Sequence, residues 1–396
     1  MKNNTIKYIS FEILIIITGL LTAGTVLQTF MLESGFDEQI TSYFEAFIMV
    51  VQSASMLLFS GFVERKSNIK GLLAKSVIFA NLILLPMLLF CFNRNIKGVV
   101  VFAVMCIFAF VSKISLGIEN VAVYKLPYQI LDMGKYGKVI ALSSICGGIC
   151  ATVFSYVIMS VNKTLGFFEG MKYILICGIV FSVVAYFTIT STKVINDYKT
   201  SEKSCRTIDI LKYKPFYSLL FPNLLRGIHS GIINVTAIIG YHNNAIDSNS
   251  ALILVIITQI ALAAGAFLYS RICLKNMDGR IILIFSVLSA LSLVFITTSS
   301  KYVFLISFFI AKMVTTVVDN AIPVAVTKIV DYSHIGRYTA LRMLTHTLGS
   351  AIGAAVILHI IDGFGKIPAM IFGGMCILVC GTAYFTYFKK NKKPDR

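Results

Sequence analysis

The chain has 396 residues, 57% of them hydrophobic and only 13% charged, with a mean hydropathy of +0.84. That balance excludes a water-soluble globular protein, which could not bury so much apolar surface, and implies a chain that crosses a membrane many times. The formal charge of +17 would suit a nucleic-acid partner, but 26 of the 35 Lys and Arg fall on the N-terminal side of the membrane, six on the other side and three inside apolar runs, which is a topology signal instead.

Taken in chain order, apolar runs lie near 9–31, 39–62, 71–92, 98–124, 137–160, 170–191, 215–240, 249–270, 281–299, 302–326, 338–361 and 367–388. Each is about 20 residues, enough to cross ~30 Å of hydrocarbon as a helix. They predict an all-α membrane protein of twelve transmembrane helices. The basic loops place both termini in the cytoplasm; the first outer loop carries Glu33, Asp37 and Glu38, and the chain closes on Lys389, Lys390, Lys392 and Lys393. The first run is too long for a cleaved leader. Nine cysteines form no CxxC pair, and no cofactor or metal site is expected. Usage rich in Lys, Ile and Asn suggests a bacterial host, so the expected location is the cytoplasmic membrane, with a monomer as the unit.

The longest polar interruption, Lys193 to Lys214, divides the runs six and six. The expected domains are therefore 1–192 and 215–396, joined by a cytoplasmic loop at 193–214. An even number of spans per half makes the two halves parallel repeats. Their sequences agree. Phe110-x-x-Lys113, followed by Glu119-Asn120 and Asp132, matches Phe309-x-x-Lys312, followed by Asp319-Asn320 and Asp331. Gln52 and Ala54 match Gln259 and Ala261; Gly137-Lys138-x-x-Ala141-Leu142 matches Gly336-Arg337-x-x-Ala340-Leu341; Phe11 matches Phe216. A charge at the bilayer centre costs at least ~2.5–3.5 kcal/mol. Two lysines at equivalent places of a repeat therefore imply a polar pathway through the membrane.

With these features the chain resembles the major facilitator superfamily along essentially its whole length. The loop after the second run, Gly61-Phe62-Val63-Glu64-Arg65-Lys66, is similar to the Gly-x-x-x-Asp-Arg loop of that family, with Glu64 for Asp and the Gly displaced by one. Lys113-Ile114-Ser115-Leu116-Gly117 resembles its Arg-x-x-x-Gly of the fourth span, with Lys for Arg. The Gly-Pro motif of drug/proton antiporters is missing, since Cys146-Gly147-Gly148 has no proline nearby. The resemblance implies that spans 1, 4, 7 and 10 line a central cavity. It also implies that Glu64, Arg65 and Arg337 form a cytoplasmic latch.

Polar stripes at i, i+4, i+7 and i+11 share one helix face, and they fall on the same four spans. Span 1 has Thr18, Thr22, Thr25 and Thr29. Span 4 has Lys113, Gly117, Asn120 and Tyr124. Span 7 has Asn223, Gly227, Ser230 and Asn234, with Arg226 on its flank. Span 10 has Lys312, Thr316, Asp319 and Pro323. Each has a plainer reading. Span threonines can bond their own backbone. Either lysine can pair with a carboxylate on a neighbouring helix, and Arg226 can serve the kink at Pro222. His229 reads as a packed polar residue, and Glu12 and Glu45 as residues near span ends that reach water. The small-residue faces Gly349-x-x-x-Gly353 and Ser143-Gly147-Ala151 read as the seam where the halves rock.

The expected function is a secondary transporter of a small organic solute by alternating access. Lys113, Arg226 and Lys312, with Asn120, Asn223, Thr22 and Thr25, are its expected binding residues. Three cations favour an anionic or zwitterionic solute. Glu119 and Asp319 are the carboxylates expected to carry a coupling proton. The alternatives are an exporter of amphipathic drugs on the same fold, or a membrane sensor that transports nothing. Neither an ATP-binding loop nor a hydrolase or metalloprotease motif is present.

Overall fold

The computed structural model describes residues 2–94, 98–131, 136–195, 214–242, 244–272, 278–327 and 332–390. All regular structure among them is helical. In chain order the helices are α1 (Lys2–Thr22), α2 (Thr25–Glu33), α3 (Glu38–Arg65), α4 (Ile69–Ala80), α5 (Leu84–Phe92), α6 (Gly98–Ile130), α7 (Tyr136–Leu165), α8 (Phe167–Thr190), α9 (Lys214–Asn234), α10 (Thr236–His242), α11 (Ser248–Ile272), α12 (Asp278–Phe295), α13 (Lys301–Thr327), α14 (Tyr332–Phe364) and α15 (Lys366–Lys390). Among the described residues ten helical stretches are long and apolar enough to cross a membrane, and Gly279–Phe295 is a shorter apolar helix.

Three of the expected spans are each built from two helices. The first breaks at Gly24, whose φ of +65° is a left-handed conformation that only glycine adopts cheaply. The third breaks at Asn81, whose side-chain amide donates to Val77 O at 2.9 Å while Leu84 N closes a tight turn onto Asn81 O at 3.1 Å. The seventh bends at Val235. There the backbone bonds continue on both sides, Val235 N to Gly231 O at 3.2 Å and Ile239 N to Val235 O at 3.1 Å.

Contacts divide the chain into two units. The first is Met1–Asp37 with Val50–Ser204, and the second is Glu38–Met49 with Cys205–Arg396. Helix α3 is thus shared between them. The core of the first unit gathers Tyr8 and Phe11 of α1, Val63 of α3, Leu73 and Val77 of α4, Ala122 and Leu126 of α6, and Ala185 and Ile189 of α8. That of the second gathers Leu219, Tyr269, Ile282, Val318, Leu341, Ile377 and Tyr384 from α9 and α11 to α15. In lipid, apolar helices gain little by hiding from one another, so close packing through small residues has to hold them together. Large apolar side chains such as Leu58, Val99 and Phe187 stay on the surface, as a lipid-facing wall requires.

Glycines do that packing, though not as a seam between halves. A Cβ on Gly349 would strike Leu224 O, and one on Gly353 would strike Ile228 O. In return, a Cβ on Gly227 would strike His346 O and one on Gly231 would strike Ser350 O. Helices α9 and α14 therefore touch backbone to backbone inside the second unit. Gly147 likewise packs α7 onto Ile16 of α1 inside the first unit.

The start of the expected central loop is tied down. The Asn4 amide donates to Lys193 O at 2.7 Å and Ile130 O at 3.0 Å and accepts from Lys193 N at 3.0 Å, while Ile195 N donates to Gln129 O at 2.8 Å. Residues 196–213 of that loop, and the repeat's Asp132 and Asp331, lie outside the described residues.

Candidate functional site

In the first unit the break in span 1 sets the geometry. Because α1 stops at Thr22, its last carbonyls lose their helical donors. Lys113, 1% exposed on α6, donates from Nζ to Thr22 O at 2.9 Å. An ammonium at a helix C-terminus also opposes the negative end of the helix dipole. The lysine helix is held close by Gly117, where a Cβ would meet Ser55 Oγ and lie 2.9 Å from both Gln52 O and Met56 N of α3. Ser55 Oγ donates to Lys113 O at 3.2 Å. Thr22, Thr18 and Thr29 turn their hydroxyls onto their own helix, at Gly19 O, Ile15 O and Thr25 O. Thr25 opens α2.

Glu119 is 3% exposed and lies within electrostatic reach of Lys113 and of Glu12 on α1. Glu12 accepts a hydrogen bond from Tyr8, and its Oε1 is buried with no hydrogen-bond partner among the described residues. Glu12 is expected near a span end. Helix α1 begins at Lys2, so Glu12 lies nearly three turns inside the helix. Asn120, next to Glu119, is half-buried.

In the second unit Lys312, half-buried on α13, donates from Nζ to Asn234 Oδ1 at 2.9 Å, with Nζ 5.8 Å from the Phe308 ring centre. Asn234 is the last residue of α9, so this lysine too sits at the C-terminal end of the first helix of its half. Arg226 and Asp319, expected in separate roles, pair with each other: Nε to Oδ1 is 2.9 Å, an ion pair by distance but without the alignment of a hydrogen bond. Arg226 Nη1 also donates to Asn223 Oδ1 at 3.2 Å. Asn223, fully buried, passes its own donors to Thr345 Oγ1 at 2.9 Å and to Arg342 O. His229 lies between Gly373 O at 3.2 Å and Ser289 Oγ at 2.7 Å, and Ser289 meets Thr315 at 2.9 Å, so four helices share one buried polar network.

Glu64 and Arg65 close α3. Arg337, expected in a loop, lies inside α14, which begins at Tyr332. The latch side chains lie outside the described residues. No group of His, Cys, Asp and Glu among the described residues is placed to hold a metal ion.

Residues 219–396 match the family model of the Major Facilitator Superfamily. The whole chain also superimposes on solved members of that fold. The nucleoside transporter NupG aligns with a TM-score of 0.70 at 15% identity, over 98% of this chain and 100% of that one. The chain shares the fold of these transporters, and its second half matches the superfamily's model. A POT family transporter in complex with 5-aminolevulinic acid aligns at 0.72 and 13% identity, over 99% and 97%. The E. coli fucose:proton symporter FucP aligns at 0.64 and 11% identity, over 96% and 97%. No curated protein matches by sequence. Its fold is thus that of solved transporters, and ten helical stretches among its described residues are long and apolar enough to cross a membrane.

Proposed function

We propose that this chain moves a small organic solute, anionic or zwitterionic, across the cytoplasmic membrane by alternating access coupled to protons. The observation that carries the reading is the pair Lys113 and Lys312. Each is held at the C-terminal end of the first helix of its own half, at Thr22 O and Asn234 Oδ1. Cations inside apolar spans at equivalent places of a repeat are costly and are kept for a polar cargo. The local charge refines the cargo class. In the second unit Lys312 and Arg226 face one carboxylate, Asp319. In the first unit Glu119 lies within electrostatic reach of both Lys113 and a second carboxylate, Glu12. Two cations against one carboxylate in the second unit suit an anionic group, and the paired carboxylates of the first suit a cationic one. Glu119, with a second carboxylate in reach, is the better proton carrier; Asp319 is already engaged by Arg226.

The test is thermal stabilisation of the purified protein against amino acids, organic anions, sugars and lipophilic cations, for the wild type, Lys113→Ala and Lys312→Ala. A solute that binds the folded state raises its melting temperature. The expected result is stabilisation by a zwitterion or anion, lost in both variants. Stabilisation by lipophilic cations alone, retained in both, would overturn the reading in favour of a drug exporter.

A further inference from the structure

Where α2 and α5 finish and α8 begins, the first unit carries a second group of cations, unrelated to the lysines of the spans. Phe30 of α2, Phe90 of α5 and Phe168 of α8 meet edge to face, with ring centres 6.0, 6.0 and 6.3 Å apart. Two cations cross this aromatic group in opposite directions. Arg94, two residues past α5, lies over the Phe168 ring of α8 at 4.1 Å, and Lys172 of α8 lies over the Phe92 ring of α5 at 5.1 Å. Cys91 is within electrostatic reach of both cations. Glu169, one turn before Lys172, pairs with it at 2.5 Å.

The basic-loop count places this end of the unit outside the cytoplasm, where Lys and Arg are depleted. Arg94, Lys97, Lys163 and Lys172 are nonetheless four of the six on that side, the other two being Lys301 and Lys366. Positive charge gathered there calls for a counter-charge. Contact with a ring face holds a cation without using its hydrogen-bond donors, and the arginine fork matches a phosphate two to two. Beneath the cations both helices turn apolar side chains outward. Leu85, Leu89 and Phe92 are exposed at i, i+4 and i+7 on α5, and Tyr173, Ile176 and Val180 at i, i+3 and i+7 on α8. A soluble anion has no use for that wall, whereas a phospholipid uses both the cations and the wall.

We propose that Arg94 and Lys172, set on Phe168 and Phe92, bind the phosphodiester headgroup of an anionic phospholipid in the leaflet on that side, with its acyl chains along α5 and α8. The charges match. Two cations less Glu169 leave one positive charge for one phosphodiester. A zwitterionic lipid offers the same phosphate but brings its own ammonium, which Arg94 and Lys172 repel, so the site selects the anionic headgroup. Each Lys or Arg at an anionic surface strengthens attraction by about fivefold. The site lies within one unit and does not depend on which solute is carried.

The chain contains no tryptophan, so a single one introduced at Leu89, on the exposed face of α5, reports the lipid beside it. Leu89→Trp is reconstituted in phosphatidylcholine bilayers with a minor fraction of phosphatidylglycerol, and quenching is compared with brominated chains on one lipid or on the other. Phosphatidylglycerol should occupy the position about fivefold above its share of the bilayer, the attraction of one net charge. Leu291→Trp, on an exposed position of α12, should report the bulk share. Arg94→Gln with Lys172→Gln should return position 89 to the bulk share, whereas Arg94→Lys with Lys172→Arg should keep the preference. Should Leu89→Trp not fold, Tyr173→Trp on α8 carries the same comparison. Equal quenching by the two lipids at position 89, the same preference at position 291, or a preference that survives the double Gln variant would overturn the proposal. So would a preference abolished by inorganic phosphate at constant ionic strength, which would make a soluble anion the occupant.

Discussion

In the first unit Lys113 grips a main-chain carbonyl, Thr22 O; in the second Lys312 grips a side-chain amide, Asn234 Oδ1. The dipole logic is the same, a cation at the C-terminus of a half-helix. The dependence on sequence is not. Any residue at position 22 offers a carbonyl, so the first arrangement rests on the backbone break that Gly24 permits. The second rests on the identity of Asn234. Packing shows the reverse contrast. In the first unit α7 meets α1 through Gly147 against the flexible end of Ile16, whereas in the second α9 and α14 meet backbone to backbone. The close contact one turn beyond each lysine has also changed sides. Gly117 lies on the lysine helix in the first half, while in the second Gly265, on α11, packs against Met313 O and Thr316 of the lysine helix. The repeat thus keeps a close helix contact beside each lysine while exchanging the residue that permits it.

Substitutions can break that contrast. The largest expected effect is at the rigid seam. Gly349→Leu forces a side chain against Leu224 O, which cannot yield, and should cost at least the ~1–3 kcal/mol typical of overpacking. Gly147→Ala meets only the end of Ile16 and should cost well under ~1 kcal/mol, within the range of volume-tolerant swaps. Melting of both variants in nanodiscs checks this; equal losses would mean that the two units are packed alike. Next comes the Arg226–Asp319 pair. Asp319→Asn leaves Arg226 charged and nearly buried, but Asp319 is 39% exposed. The loss should therefore fall below the ~3–5 kcal/mol of a fully buried broken pair. Arg226→Gln in the same background should recover part of it, and a double-mutant cycle that closes additively would sink the coupling. Smaller again is the lysine comparison itself. Lys113→Met removes a charged donor from Thr22 O and should cost about 1.5–3 kcal/mol. Lys312→Met should cost less, because Lys312 and Asn234 are only half-buried whereas Lys113 is 1% exposed.

The spans were legible because a run of about 20 apolar residues has few other uses. Their interiors were less so. Gly24 and Asn81 sit in plain view, yet a hydropathy window averages across them, and Val235 carries no local mark at all. The lysines were legible as charges out of place. Their partners were not, since Thr22 contributes a main-chain oxygen that no side-chain pattern encodes, and the Asn234 side chain was one polar position among several on its stripe. The start of α1 was less legible, because the helix extends through Lys2 to Lys7, a polar stretch that hydropathy assigns to solvent. The glycine faces were recognised as close contacts, but sequence does not say which helix a small face meets. The contacts of Gly349 and Gly353 with α9 settle that.

The smallest expected effect separates binding from structure at the residue where the two readings overlap most. Thr22 was expected to face the solute, and its hydroxyl is turned onto Gly19 O at 3.4 Å, a long contact that stabilises little. Its carbonyl, by contrast, is what Lys113 holds. Thr22→Val keeps the shape and the carbonyl and deletes only the hydroxyl, so melting should move by no more than ~0.5 kcal/mol. If the hydroxyl rotates to the solute, affinity should fall about fivefold with melting unchanged, the loss of one neutral hydrogen bond of ~1 kcal/mol. If affinity and melting are both unchanged, position 22 serves only through its backbone, and the first unit's contribution to binding narrows to Lys113 and the carboxylates around it.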